Sequence, residues 1–248
     1  MLKGKLKHWF GLKSMLLLSR VVVGLLLFGA FIFSIQSIAR TYDIATGGPE
    51  VRLALSTFSP NFFPALHDTK AGFDDGWHGR PMREDRGPLP ALQAATAGFE
   101  LVADPREPLL RYREPTPWKR VALFYLGASD SLFSLPLLLF LNFGSYLLWR
   151  LLRDVTPATP FTFANARRLG QLALLVLGSF IWEKVAYILV RALVPTFRTP
   201  GLAETLNHYV SLNTENTLPN VWVGVGLTVI ALVYRRGVEL SQEAELVI

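Results

Sequence analysis

The chain has no cysteine, which excludes disulfides, thiolate nucleophiles, iron–sulfur clusters and thiolate zinc sites. Histidine is almost as scarce, with four scattered residues, so a metal site built on imidazoles is not expected. Charge is thin as well: 18% of residues are Asp, Glu, Lys or Arg, against about 25% in soluble proteins. Internal repeats, a glycine triplet period and sustained heptads are missing, which removes solenoids, inverted-repeat transporter halves, collagen and coiled coils. No GxSxG, HExxH or phosphate-binding glycine pattern occurs, so no enzyme and no cofactor are expected. What the 248 residues do contain is apolar bulk: 51% are hydrophobic.

That bulk is arranged in long runs. VVVGLLLFGAFIFSIQSIA lies between Arg20 and Arg40, long enough for the roughly 30 Å hydrocarbon core. The basic leader before it also fits a signal peptide, with Ser37-Ile38-Ala39 as a loose cleavage site, but further spans follow. Val121 to Trp149 lacks Lys and Arg yet is too long for one perpendicular helix. The simplest division caps a second span with Ser129-Asp130-Ser131, starts it near Leu132 and lays Trp118 to Gly127 along the interface. One continuous tilted helix is the competing reading. Span three covers Leu169 to about Val190. Span four covers Leu218 to Tyr234, with Pro219 in its first turn and a small-residue face at Gly224, Thr228 and Ala231.

The expected fold is therefore all-α, a four-span transmembrane helix bundle with a loop-rich extracytoplasmic segment between spans one and two. Its parts are a basic leader (1–20), span one (21–39), the extracytoplasmic segment (40–118), span two with an interfacial helix (121–149) and a cytoplasmic loop (150–168). Span three (169–190), an outer loop (195–217), span four (218–234) and an acidic tail (235–248) follow. The leader holds five basic residues and no acid, and the 150–168 loop four arginines, whereas Pro195 to Asn220 has only Arg198. Positive charge favours the cytoplasmic side, so both termini are expected inside. Arg111, Arg113, Lys119 and Arg120 run against that rule. The segment Thr41 to Pro117 carries 8 basic and 11 acidic groups among many Pro and Gly, and predicts at most a short helix around Leu89 to Phe99 and a strand pair.

Glu183 and Lys184 are charges within a span, which is expensive. Because successive helical residues diverge by 100°, the two are not expected to pair with each other. Lys184 can snorkel, while Glu183 joins a polar cluster with Lys184 or Arg191, or shares its depth with Asp130 as a carboxylate pair handling a proton or cation. His67, Asp68, Asp74, Asp75 and His78 are close in sequence but match no metal-ligand spacing, and read as an ordinary polar loop. After span four, Glu239, Glu243 and Glu245 stand in a tail that anionic lipid would repel, so it projects into the cytoplasm as a solvated helix end or a handle for a basic partner.

Two stretches carry a resemblance. Pro160-Phe161-Thr162-Phe163-Ala164-Asn165-Ala166-Arg167-Arg168-Leu169-Gly170 and the exit Tyr234-Arg235-Arg236-Gly237-Val238-Glu239-Leu240 are similar to the paired signatures of the YoaS-like bacterial membrane proteins, domain-of-unknown-function family 2975. The resemblance implies four spans and, as a partner, a small cytoplasmic helix-turn-helix regulator. The outer segment is longer than the family's usual connection, and the ending Ala244-Glu245-Leu246-Val247-Ile248 departs from its acidic-Leu-Thr-Ile pattern. Taken by itself the first motif is a turn in which Thr162 caps a helix and Arg167 and Arg168 meet lipid phosphates. Asn165, Glu239, Glu243 and Glu245 are the expected partner contacts. The partners expected are the lipid bilayer, the DNA-binding regulator and, as an open alternative, a second copy of the chain; direct nucleic-acid contact is not expected. The leading function is a non-catalytic relay of envelope state to the regulator, with a small ion or proton translocator, or an accessory subunit, using Glu183 as the alternative.

Overall fold

In a computed structural model the described residues are 2–56, 73, 76–78, 95–96, 98–102, 108–129, 131–155, 162–199, 205–214 and 218–245. The chain is mostly helical. Its helices are α1 (Leu2–Thr46), α2 (Pro117–Leu126), α3 (Leu135–Asp154), α4 (Phe163–Leu193) and α5 (Val221–Glu245). Four of these, α1, α3, α4 and α5, are long and apolar enough to cross a membrane. The strands are β1 (Glu50–Ala54), β2 (Ala95–Thr96), β3 (Phe99–Val102) and β4 (Leu109–Arg113). The residues divide into two compact units, one of Met1–Ile38, Pro136–Trp182 and Leu218–Ile248, the other of Ala39–Leu135 and Glu183–Thr217.

The first unit is helical and wears its apolar side chains outward. Leu25, Phe28 and Phe31 of α1, Leu174 and Ile181 of α4, and Val229 and Leu232 of α5 are all exposed. In water such a surface would aggregate; in a bilayer it is the lipid-facing side. Packing inside this unit uses small residues. Val23, Ala30 and Ser37, spaced by seven, are the buried seam of α1, and Gly24 admits the Trp149 ring of α3. A Cβ on Gly224 of α5 would lie 2.8 Å from Leu177 Cδ2, so this glycine sets how closely α5 approaches α4. Within α3, residues Phe140–Gly144 form a π-helical turn, and Asn142 in it donates from Nδ2 to Ser34 Oγ of α1 at 2.8 Å.

Several helix ends differ from expectation. Ser129 and Ser131 do not cap α3: their hydroxyls bond each other at 2.8 Å and the helix starts at Leu135, while Asp130 lies outside the described residues. A separate α2 precedes it, so Val121 to Trp149 is not one continuous helix. Pro219 precedes α5 rather than sitting in its first turn, and Asn220 Oδ1 accepts the Trp222 N–H at 3.2 Å.

The second unit contains an antiparallel sheet, ordered β1-β4-β3-β2, instead of a strand pair with a helix. Residues 95, 96 and 99 of the expected helical stretch Leu89 to Phe99 are strand, and Gly98 has φ 114°, which a helix interior does not accommodate; residues 89–94 lie outside the described ones. Val51, Leu53, Phe99, Leu101, Leu110 and Tyr112 alternate inward, while Arg52, Glu100 and Arg113 face out. Leu123, Phe124 and Leu126 of α2 are buried, as are Leu206, Tyr209, Val210 and Leu212. The Phe197 ring lies 4.7 Å from Phe99 and 5.5 Å from Tyr112 between centroids. The free edge of β1 is covered by backbone bridges from Leu53 to Ser129 and from Leu55 to Val210.

Gly127 closes α2 at φ 80°, and a Cβ there would lie 2.5 Å from Asn213 Oδ1. That asparagine in turn donates from Nδ2 to the Ser131 and Phe133 carbonyls. Gly127→Ala should therefore lower stability by about 1–3 kcal/mol through backbone strain and the clash together. The check is thermal unfolding of the full chain in detergent, with Gly29→Ala, where nothing approaches within 4 Å, as a control that holds the original midpoint.

Tyr112 is buried, and its hydroxyl has no hydrogen-bond partner among the described residues. Burial pushes the phenol well above its ordinary value of about 10, and the nearby Glu114 carboxylate adds to the rise. A raised folded-state value means the contribution to stability is whole below pH about 10 and is lost as pH climbs through the folded value. Tyr112→Phe should be neutral or stabilising by up to about 1 kcal/mol at neutral pH. Denaturant unfolding above pH about 10 should show a smaller alkaline loss in this variant than in the native chain.

Candidate functional site

Alpha-helices end with carbonyls that no residue of their own helix can serve. α1 has no basic residue in its last turn, and Arg120 of α2 fills that need. Its Nε donates to the Ile44 carbonyl at 3.0 Å, Nη2 to the Ala45 carbonyl at 3.0 Å and Nη1 to the Glu114 carbonyl at 3.1 Å. Thr41 and Tyr125 add a hydroxyl pair at 2.8 Å between the same helices. Arg120 is buried. Charge counting treated it as evidence about orientation; its actual task is to bind carbonyl groups. A Thr-Pro helix start followed by a basic pair gave no sign of that role.

A second set of arginines joins α3 to α4. Thr162 Oγ1 accepts the Asn165 N–H at 3.2 Å, capping α4 as its position suggested. Asn165 is fully buried, and its Oδ1 accepts from Arg168 Nη1 at 2.7 Å. The same nitrogen donates to Asp154 Oδ2 at 2.6 Å and to the Arg150 carbonyl at 3.1 Å. Arg168 is thus turned into the protein, and only the exposed Arg167 of the expected lipid-facing pair is available to phosphate. Asn165, expected at a partner contact, here orders Arg168 from inside. Arg20 of α1 completes the group, donating from Nε to the Leu152 carbonyl at 3.1 Å and from Nη2 to those of Arg153 and Val155. It sits at the negative end of the α3 dipole, where a cation is favoured.

Glu183 and Lys184 do pair, with Nζ 2.7 Å from Oε1. The expectation that neighbours on a helix cannot meet concerns their Cα–Cβ directions; two long side chains have enough torsions to bring their ends together. Both are mostly buried, and the ammonium also stands 6.0 Å from the Tyr187 ring centroid. Asp130, the other half of the imagined carboxylate pair, lies outside the described residues. Asn207 donates to the Arg191 carbonyl at 3.0 Å at the end of α4.

In the tail, α5 continues as helix past Arg235 and Arg236, so the acids meet bases of their own helix. Glu239 accepts from Arg235 Nε at 3.3 Å and Arg236 Nη1 at 3.0 Å, and Glu243 lies 3.7 Å from Arg236. The Glu245 side chain lies outside the described residues. So do His67, Asp68, Asp74 and Asp75, while His78 is exposed. Among the described residues no group of three His, Asp or Glu side chains is placed to hold a metal.

Residues 118–248, more than half of the chain, match the sequence profile of a family described as protein of unknown function, DUF2975. The chain belongs to this family. No curated protein and no solved structure matches it. The DUF2975 region holds Arg120, the Asp154–Asn165–Arg168 group, the Glu183–Lys184 pair and the whole of α5; Arg20 and the four strands lie before it. With four apolar helices of spanning length, this DUF2975 member is a multi-pass membrane protein. No catalytic relative is named for it.

If the Asn165 amide orders Arg168, its removal should be felt although it lies on no surface. Asn165→Ala should cost about 1–2 kcal/mol, whereas Arg167→Gln, on the exposed neighbour, should stay within about 0.5 kcal/mol. Detergent-solubilised melting curves of both variants decide it. Equal midpoints would show that the buried hydrogen bonds add nothing.

Proposed function

We propose that the chain is a bacterial inner-membrane protein, both termini cytoplasmic, that relays the state of the envelope to a small cytoplasmic helix-turn-helix regulator without catalysing a reaction. The observation that carries this reading is α1 itself. It is one unbroken helix of 45 residues, held at the Ile44 and Ala45 carbonyls by Arg120, and through Arg20 holding the last carbonyls of α3. The relay reading takes α1 as the element through which a change at one tie reaches the other. The charge asymmetry of the short connections supports placing Arg20 and the 150–168 loop in the cytoplasm.

The translocator reading needs Glu183 to exchange a proton or cation. Its carboxylate is instead held by an adjacent ammonium at 2.7 Å, an arrangement that favours a neutralised structural pair.

Topology comes first in testing this reading. The native chain has no cysteine, so single cysteines at the exposed Trp77 and Glu243 can be labelled from either side of the membrane. Trp77→Cys should react from outside and Glu243→Cys only after permeabilisation. Affinity capture from native membranes should then recover a cytoplasmic DNA-binding partner, and Arg120→Gln, remote from that partner, should change its recovery several-fold at equal abundance of the bait. Unchanged recovery would sink the relay. Loss of a proton or cation flux in Glu183→Gln would replace it with translocation.

A further inference from the structure

Between Arg150 and Arg168 stand four arginines and one acid, Asp154. Arg168 is turned inward and takes Oδ2 of that acid. Three guanidinium groups are left with donors to spare. Arg150 and Arg153 share one face of α3 with Tyr146, at i, i+4 and i+7. Arg150 donates from Nη1 to Tyr146 Oη at 3.3 Å and lies 5.8 Å from the ring centroid, which leaves its remaining N–H groups unassigned. Arg153 Nε lies 3.5 Å from Asp154 Oδ1, and the Arg153 side chain is 62% exposed. Arg167 is exposed and forms no ion pair among the described residues. The Arg168 bond to the Arg150 carbonyl draws the first turns of α4 alongside α3 at this level.

We propose that Arg150, Arg153 and Arg167 bind the phosphodiester of an anionic phospholipid, with the Tyr146 ring marking the head-group boundary. The net positive charge calls for an anion, and the surroundings name its source. Tyr146 and Phe163, both exposed, flank the arginines with aromatic surface of the kind that sits at a bilayer interface, and both belong to helices long and apolar enough to cross a membrane. A lipid satisfies the guanidinium donors and the apolar flank together; a free phosphate satisfies only the first. Guanidinium forks match phosphate oxygens in a way that a diffuse positive surface does not. The other arginine pair near a span end, Arg235 and Arg236, supplies an internal comparison, because Glu239 and Glu243 already occupy it. This inference needs only the membrane location and is independent of the relay.

The test is lipid retention by the purified full chain in mixed micelles of phosphatidylglycerol and phosphatidylcholine, read by native mass spectrometry. The native chain should keep phosphatidylglycerol preferentially, and the preference should fall as ionic strength rises. The triple variant Arg150→Gln, Arg153→Gln, Arg167→Gln should lower that preference roughly a hundredfold, and Arg153→Gln alone roughly fivefold. Arg235→Gln with Arg236→Gln should leave it within about twofold, since those charges are already neutralised. Absence of preference in the native chain overturns the site, as does an equal loss in the Arg235 and Arg236 variant, which would mean an unspecific basic surface. Displacement of the lipid by millimolar inorganic phosphate overturns the lipid assignment in favour of free phosphate. Should the triple variant fail to fold, the single Arg153→Gln and the salt titration of the native chain decide the matter alone.

Discussion

Terminal carbonyls of long helices must find donors, and in this protein two arginines from other helices provide them. Arg120 serves the end of α1 and Arg20 the end of α3. A guanidinium suits the task because its donors form a rigid fork and it stays charged at every physiological pH. Removing either would leave several acceptors unserved at once, so each tie fixes direction as well as distance. α1 makes few other contacts: only Val23, Ala30 and Ser37 are buried along the described length of its span, with Asn142 reaching Ser34 from α3. Such sparse side-chain packing gives the arginine ties a large share in placing this helix.

The sheet obeys the same backbone logic. Its strands precede the DUF2975 region, yet the β1 edge is closed by Ser129 and Val210, which lie within it. Ser56 N–H to the Tyr209 carbonyl at 2.7 Å and Ser211 N–H to the Ala54 carbonyl at 2.9 Å continue that contact. Main-chain pairing needs extended geometry and tolerates most side chains. A family segment offering an extended stretch near Val210 can therefore accept a strand from an elaboration of unrelated sequence, provided one face of it is apolar. Val51, Leu53 and Leu55 meet that condition.

The four spans were legible because hydropathy over about 20 residues is a long-range average that single residues cannot hide. The strands were not, since each runs two to five residues and sits among prolines and glycines that argue for loops. The alternation in Glu50-Val51-Arg52-Leu53 and Leu109-Leu110-Arg111-Tyr112 was the available signal, and punctuation outweighed it. The candidate site was legible in part. Thr162 as a cap follows from local chemistry and could be read directly; the inward turn of Arg168 depends on Asp154, fourteen positions away, and could not. The acids of the tail look unpaired when the span is ended at Tyr234, and become partners of Arg235 and Arg236 once the helix runs on.

Within the spans, the polar groups turn to partners close by. Ser34 donates to the Ala30 carbonyl while accepting from Asn142, which also donates to the Leu138 carbonyl; Ser179 and Thr228 return their protons to the carbonyls of Val176 and Gly224. In hydrocarbon such closure is obligatory, since no water can substitute. Trp182 is the exception among the large side chains, with a buried indole N–H that finds no acceptor among the described residues. A polar group already satisfied by its neighbours has less affinity left for other partners. Among the described residues, unspent hydrogen-bonding capacity remains at the α3–α4 connection, where Arg168 and Arg153 share the Asp154 carboxylate and Arg150 and Arg167 have no acid.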